Sequence, residues 1–361
     1  MSWTYEIVDT RTGVRQSVVF PSSGSWNRVL NAQGSGSHSF PNAIPIASRA
    51  AYRTLFRPWA RTLVVSRNGV ARYAGIITGY SFDWDSGMWQ IQHADIRALL
   101  ARRYTMGTNG YSGDTADNKL ELINYTLASI VPWVVWAGTA GPTANYDLPI
   151  LLADGGAVGT ESRTYYDYNF TTLDSALDEI TNLGPDVDFA PRWNTSGALY
   201  YQQIVGMPLI AAGTWEWNLT AAEPGLFGVR VTVNATKQAT VVFATGTGSE
   251  VDMQVKTART DSDLPALERQ SPYKGADHGL PALQAHANAD LALYSKPTEQ
   301  WSLSMLAGEG PRIENVDLGF TARIWSKDLG GIPDGWTSLR LIGYSNDMSE
   351  KITFDVQPIG A

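Results

Sequence analysis

Four histidines, His38, His93, His278 and His286, are the first residues to weigh, since imidazole serves both as metal ligand and as acid–base group. None stands in H-E-x-x-H or another metal spacing, and His278 precedes the helix expected to carry His286. With Cys 0 there is no thiol nucleophile, no zinc ribbon and no disulfide framework. The G-x-S-x-G elbow that exposes a hydrolase serine does not occur. Gly246-Thr247-Gly248-Ser249 follows a strand pattern but lacks the lysine and spacing of a phosphate loop, so it reads as a turn. Asp83-Trp84-Asp85-Ser86-Gly87 lacks the third oxygen ligand and distal glutamate of a calcium loop, so it reads as a hairpin turn. A glycosidase carboxylate pair is defined in space, and 35 acidic residues supply chance candidates everywhere. No catalytic, cofactor-binding or metal residue is assigned, no cofactor is implied, and the chain is expected not to be an enzyme.

Five N-x-S/T triplets, at Asn124, Asn169, Asn194, Asn218 and Asn234, follow a start with no basic, apolar leader and reflect threonine-rich composition. Trp133 and Trp136 fall in a loop-like stretch beyond a helix stop at Pro132. Core packing is the ordinary use of such large rings; a partner contact is the functional alternative, and these two are the candidate contact residues.

The elements that would position these residues are mostly β at both ends. Trp3 to Asp9 and Val14 to Phe20 flank Thr12-Gly13, and Thr62 to Arg67 and Val70 to Thr78 flank Asn68-Gly69, a strong hairpin signal. Tyr80 to Asp85 and Met88 to His93 flank Ser86-Gly87, and a short helix follows with Ile96, Leu99 and Leu100 on one face. The Gly/Ser/Pro-rich stretch from Gln33 to Pro45 reads as loop. A helix capped at Asp114 or Thr115 is expected through Leu120, Ile123, Leu127 and Ile130 to Pro132, then a long loop to about Gly159. A third helix is marked by Thr171 and Asp174 at its start, a stripe of Leu173, Ala176, Leu177, Ile180 and Leu183, and Gly184-Pro185 at its end. Val229, Val231 and Val233 alternate as a strand, with Ala239 to Thr245 returning alongside. A fourth helix opens at Pro281 and ends before Pro297. Phe320, Ala322 and Ile324, then Ile352, Phe354 and Val356, close the chain as strands. The order gives a multidomain α+β chain: two small β-barrel-like end domains, 1–105 and 297–361, flanking a helical/loop segment, 106–160, and a mixed segment, 161–296.

Composition narrows the function. At 361 residues the chain exceeds one ordinary core. A net charge of −8 gives no basic surface for tracking phosphates, so specific nucleic-acid binding is not expected. Charged residues are 17%, below the usual quarter, which suits large, weakly charged contact surfaces of an assembly component. Leu122 to Tyr146 carries no charge, yet its dense apolar part, Leu127 to Ala137, is too short to span a bilayer, so no stable membrane insertion is expected.

The order of motifs resembles the tail hub proteins of long-tailed, siphovirus-type bacteriophages, also called baseplate hub or minor tail proteins. The likeness rests on Val65-Ser66-Arg67-Asn68-Gly69, Tyr73-Ala74-Gly75-Ile76-Ile77 and Trp89-Gln90-Ile91 before Asp95 to Arg103. Arg163-Thr164-Tyr165, the helix to Leu183, and Pro185-Asp186-Val187-Asp188-Phe189 resemble the middle of such a chain. Arg340-Leu341-Ile342-Gly343-Tyr344-Ser345 and Ile352 to Pro358 resemble its close. The resemblance implies a fold like the central hub of contractile-tail baseplates and no catalytic residues. It implies a homotrimeric ring in the virion, assembled in the host cytoplasm, at the distal end of the tail. That ring would join tail tube to tip and surround the channel for DNA and tape measure, with the distal tail protein, the tape measure protein and other tail-tip proteins as partners. Arginine outnumbers lysine 20 to 7, which fits an actinobacterial host. A carbohydrate-binding receptor protein and a tail-associated cell-wall hydrolase are the competing functions.

Overall fold

A computed structural model describes residues 3–42, 49–106, 110–111, 118–141, 143–248, 250–273 and 279–359. Strand outweighs helix, 45% to 17%, so the α+β chain is dominated by its sheets. It divides into two compact units, one formed by 1–228, 303–329 and 333–356, the other by 229–302, 330–332 and 357–361.

In the first unit the expected hairpins form. Asn68 and Gly69 both take positive φ, 49° and 81°, the turn geometry that matches strand twist. Trp3–Asp9 pairs on one side with Arg15–Val19 and on the other with Arg61–Arg67, which pairs onward with Val70–Asp83 and that with Met88–Ala94. The stretch expected as loop from Gln33 departs from expectation: Ser35–Pro41 is a strand between Met88–Ala94 and Ser23–Val29. Its glycine and serines are there for closeness. A Cβ on Gly36 would lie 2.5 Å from the buried His93 ring, and one on Gly24 would lie 2.2 Å from that of His38.

The sheet does not stop at the end of the N-terminal segment. Ser23–Val29 pairs with the far end of Gly335–Asn346, whose other half pairs with Thr321–Ser326 and that in turn, in parallel, with Thr214–Asn218. No closed barrel is found among the described residues. The two end segments, expected as barrel-like and packed side by side because each is too short to bury a large core alone, are joined strand to strand in one sheet.

The helix expected from residue 114 to Pro132 is corrected. Residues 114 and 115 lie outside the described residues; Lys119–Tyr125 is a strand paired with Val158–Tyr166, and the helix is Leu127–Thr139. Leu122 is buried while Ile123 is 51% exposed, so alternation outranks the helical spacing those residues also fit. Thr126 caps the helix by accepting from Ser129 N. Pro132 sits inside it, giving up one backbone bond while Ile130, Val131, Val134 and Val135 are fully buried. The third helix, Leu173–Thr181, is as expected except that Thr172, not Thr171, supplies the cap and Leu183 lies beyond the buried stripe. Both helices pack with Val8, Val64, Ile76, Leu100, Val187 and Leu199 in one core.

In the second unit Val241–Thr245 runs between Val255–Arg259, antiparallel, and Glu268–Pro272, parallel. That replaces the expected return alongside the Val229 strand. Leu280–Tyr294 covers this sheet, with Leu283 and Ala287 against Ala244 and Ala258.

Candidate functional site

One feature of the first unit stands apart from an ordinary solvated sheet: a solvent-facing run of Ser, Asn and Gln across four strands, with Asp83 at one end of it. Ser23 pairs with Ser39, Ser39 with Gln90, and Gln90 with Ser81; beside that row Ser25 pairs with Ser37 and Ser37 with Gln92. Asn27 accepts from Ser35 N at 2.7 Å and lies opposite Ser345. These residues are exposed or half-buried, while their neighbours Trp26, Arg28, His38, Phe40, Trp89, Ile91 and His93 point inward. A cleft of about 600 Å³ on this face is lined by Ser25, Asn27, Ser37 and Ser345 and by one charge of each sign, Asp347 and Lys351. Such a face stays hydrated and offers hydrogen bonds, yet its one lysine is offset by an aspartate and makes no cationic track to release counterions from a polyanion.

Behind it lies an ion-pair layer that the sequence did not single out. Arg28, 4% exposed, donates to both oxygens of Asp188 at 2.9 and 2.7 Å and to the Tyr344 hydroxyl at 2.8 Å. Arg72 donates to that hydroxyl at 3.0 Å and to Asp317 at 3.2 Å, which also accepts from Arg192 at 2.6 Å. Burial would raise the Asp317 carboxyl, but Arg72, Arg28 and Arg192 outweigh it and hold it at about 2. Asp186 accepts from Arg340 and from Ile210 N. In Pro185-Asp186-Val187-Asp188-Phe189 the period of two thus sends two carboxylates to arginines of two other strands, tying segments more than 150 residues apart in sequence.

A second buried cluster stacks His38 on His93, ring centroids 5.0 Å apart, with His93 Nε2 2.8 Å from His38 Nδ1 and His93 Nδ1 2.8 Å from the Tyr73 hydroxyl. Burial pushes His38 down to about 4; burial and then the neighbouring His38 hold His93 well below the ordinary imidazole value. These are structural histidines, and His278 lies outside the described residues. Among the described residues no three His, Asp or Glu side chains gather as metal ligands.

The second unit contains a Ser/His/Asp cluster that sequence inspection missed, although the four-residue spacing of His286 and Asp290 on one helix face could have flagged it. Ser271 Oγ lies 2.9 Å from His286 Nε2 and donates to Asp290. The serine has one proton and gives it to the carboxylate, so His286 Nε2 must donate to Oγ. An imidazole engaged in that sense cannot accept the serine proton, and the base does not stand between serine and carboxylate as a triad requires. The cluster fastens helix to strand. Ser271→Ala is expected to cost about 1–3 kcal/mol in urea unfolding, with no clearing zone on bacterial cell-wall zymograms before or after the change; clearing that the substitution abolishes would refute the assignment.

Trp133 and Trp136 lie on the Leu127–Thr139 helix rather than in a loop, 37% and 38% exposed, their rings edge to face at 5.8 Å. Trp133 Nε1 donates to Gly155 O at 3.0 Å. No helix is long and apolar enough to cross a membrane among the described residues. Asp83 accepts from Asp85 N and Ser86 Oγ, as a hairpin turn should. Three of the N-x-S/T triplets close Asx turns, at Asn194, Asn218 and Asn234.

No protein-family model matches the chain, and no curated protein matches it. Solved structures do. The tail protein from Neisseria meningitidis MC58 superposes with a TM-score of 0.58 at 14% identity, over 100% of this chain and 97% of that one. The 43 kDa tail protein of prophage MuSo2 from Shewanella oneidensis gives 0.59 at 10% identity, over 98% of each. An Escherichia coli component of the type VI secretion system, described as structurally similar to the T4 bacteriophage tail proteins gp27 and gp5, gives 0.50 at 11% identity, over 99% of this chain and 77% of that one. The fold is therefore that of phage tail proteins, of the gp27/gp5-like kind.

Proposed function

We propose that this chain is a structural component of a phage tail tip, a hub that joins the end of the tail tube to the tip and surrounds the channel. The single observation that carries the proposal is the Ser/Asn/Gln-rich face, which presents no basic track, on a fold shared with phage tail proteins. A lumen through which DNA passes must neither bind phosphate nor present a strong field, and hydroxyl and amide groups do neither. The ring is a homotrimer with that face inward, in a long, non-contractile tail. An actinobacterial host fits the arginine excess. The distal tail protein and the tape measure protein are its neighbours, and Trp133 and Trp136 contact one of them. Segments 1–105, 106–160, 161–296 and 297–361 serve as its domains, the two ends bearing the lumen.

A cryo-EM map of the tail tip tests this. It is expected to show three copies around the axis with Ser25, Ser37, Gln90 and Gln92 facing it. One or six copies, or that face turned outward, would overturn the proposal. Functionally, Ser37→Lys with Gln92→Lys places six cations around the lumen of a trimer. Virions carrying both are expected to assemble normally but eject DNA more slowly by about tenfold or more, an effect relieved by added salt. Unchanged ejection kinetics would argue that DNA does not pass this face.

A further inference from the structure

The same sheet carries, at its Thr214–Asn218 edge, a surface of opposite character. Register places Glu216 beside Arg323 and Asn218 beside Trp325 on one face, and Trp325 directly opposite Trp336 on the next strand. Ala322 and Ile324 point to the buried side, so Arg323 and Trp325 face out. The two indoles meet at 61° with centroids 5.5 Å apart, and Trp336 is 47% exposed. Arg323 lies over the Trp336 ring at 4.7 Å and is itself paired with Glu216, so the guanidinium is fixed and its charge offset. Asn218 Oδ1 is taken up by Thr220 N at 2.9 Å and Thr220 Oγ1 at 2.7 Å, a turn that orients the amide without using its Nδ2 donors. Trp325, Trp336 and Asn218 together line an open cleft of about 340 Å³.

We propose that this cleft is a saccharide-binding site for a neutral sugar unit, one that stacks its C–H face on the indoles and hydrogen-bonds its hydroxyls to Asn218, Glu216 and Arg323. A few placed polar groups around an aromatic floor are what a small-ligand site needs. The chemistry argues against other occupants. A nucleotide strand would stack equally well, but it needs cations along its backbone, and the one arginine here is already paired. A protein partner needs on the order of 1,000 Å² of complementary surface, far more than two indoles and an amide supply. A lipid surface needs a broad apolar area with basic residues around it, whereas this rim is one acid, one base and one amide. The site does not depend on the hub reading, since it lies on a different part of the sheet from the Ser/Gln face.

The purified full chain is to be probed on an array of immobilised neutral and acidic bacterial oligosaccharides, and the strongest neutral ligand then titrated in solution. At least one neutral oligosaccharide is expected to bind. Trp336→Ala should weaken it by about tenfold or more, Trp336→Phe should recover part of the loss, and Trp84→Ala, at an exposed tryptophan on the 83–87 turn, should leave it unchanged. Trp336 is half exposed, so the thermal melt of Trp336→Ala is expected to match the parent, which separates lost binding from lost folding. Absence of neutral-glycan binding, or binding indifferent to Trp336→Ala, overturns the proposal. So does a Trp336→Ala chain that fails to enter tails while the parent binds no glycan, which would mark the face as a protein contact.

Discussion

Asp188→Ala is expected to destabilise the first unit by about 3–5 kcal/mol, enough to unfold a marginal domain. Arg28 and Asp188 are both nearly inaccessible, and one guanidinium nitrogen, Nη2, donates to both carboxylate oxygens. Removing the carboxylate leaves a buried guanidinium without its directly bonded counter-charge. Asp317 is 3.9 Å from the other Arg28 nitrogen and already serves Arg72 and Arg192, so it cannot replace Asp188 in full. The cost lies in the orphaned charge rather than in the attraction of the pair. The double change Arg28→Met with Asp188→Leu should therefore recover most of the loss. Urea unfolding of the parent, both single variants and the double variant closes the cycle. A cost below about 1 kcal/mol for Asp188→Ala would show that water reaches Arg28 and that the layer is not a buried one.

Between about pH 6.5 and 4, buried groups of opposite sign set how the stability of this protein responds to acid. His38 ionises near 4 when folded and near 6.5 when unfolded, so between those values the unfolded chain binds more protons. The stability from neutral His38 is fully present above about 6.5 and is lost as pH falls toward 4, about 3 kcal/mol from this residue alone. His93, held down in the same way, adds to the loss. Asp95 works against it. Burial raises its carboxyl to about 7, opposed by hydrogen bonds from Gly34 N and Arg97 N and by the Arg97 and Arg28 charges. Its contribution is present below the unfolded value near 3.8 and is lost as pH rises through 7, so it stabilises on acidification. Asp95→Asn should therefore steepen the acid limb of the stability profile. With only four histidines in the chain, imidazole NMR can follow the pair directly. His38 and His93 are expected to remain neutral at pH 5.5, where an exposed imidazole is mostly protonated. Titration of both near 6.5, or an acid limb unchanged by Asp95→Asn, would contradict this account.

Much of the local structure was legible from residues alone. Asn68-Gly69 fixed its hairpin because few other pairs accept two positive φ angles at so little cost. The Leu173–Thr181 helix declared itself by an apolar stripe and a capping threonine, one position off. Alternation placed Ile324, Ile352 and Phe354 inside. Where two periods fitted one stretch, as at Leu120 and Ile123, the local signal could not choose, because a strand there becomes favourable only when Val158–Tyr166 lies beside it.

The functional surfaces belong to the second kind of information. Ser35-Gly36-Ser37-His38-Ser39 carries a period of two in plain view, but its composition is that of a loop, and it becomes a strand only because His93 fills the space Gly36 leaves and Ser25 lies across from Ser37. The carboxylates of Asp186 and Asp188 are two residues apart in any conformation of a strand; which arginines they meet depends on chain ends about 155 residues away on either side. Trp325 and Trp336 form one platform only because a long turn returns the chain in register. The amino-acid sequence by itself determined the tight hairpins, the capped Leu173–Thr181 helix and the buried faces of the alternating strands, because those follow from φ/ψ preference, hydrophobic period and residue type within a few neighbours. Tertiary structure alone decided the shared sheet, the hydroxyl- and amide-rich face and the paired ions, because each is a coincidence in space between residues whose separation in sequence leaves no local trace.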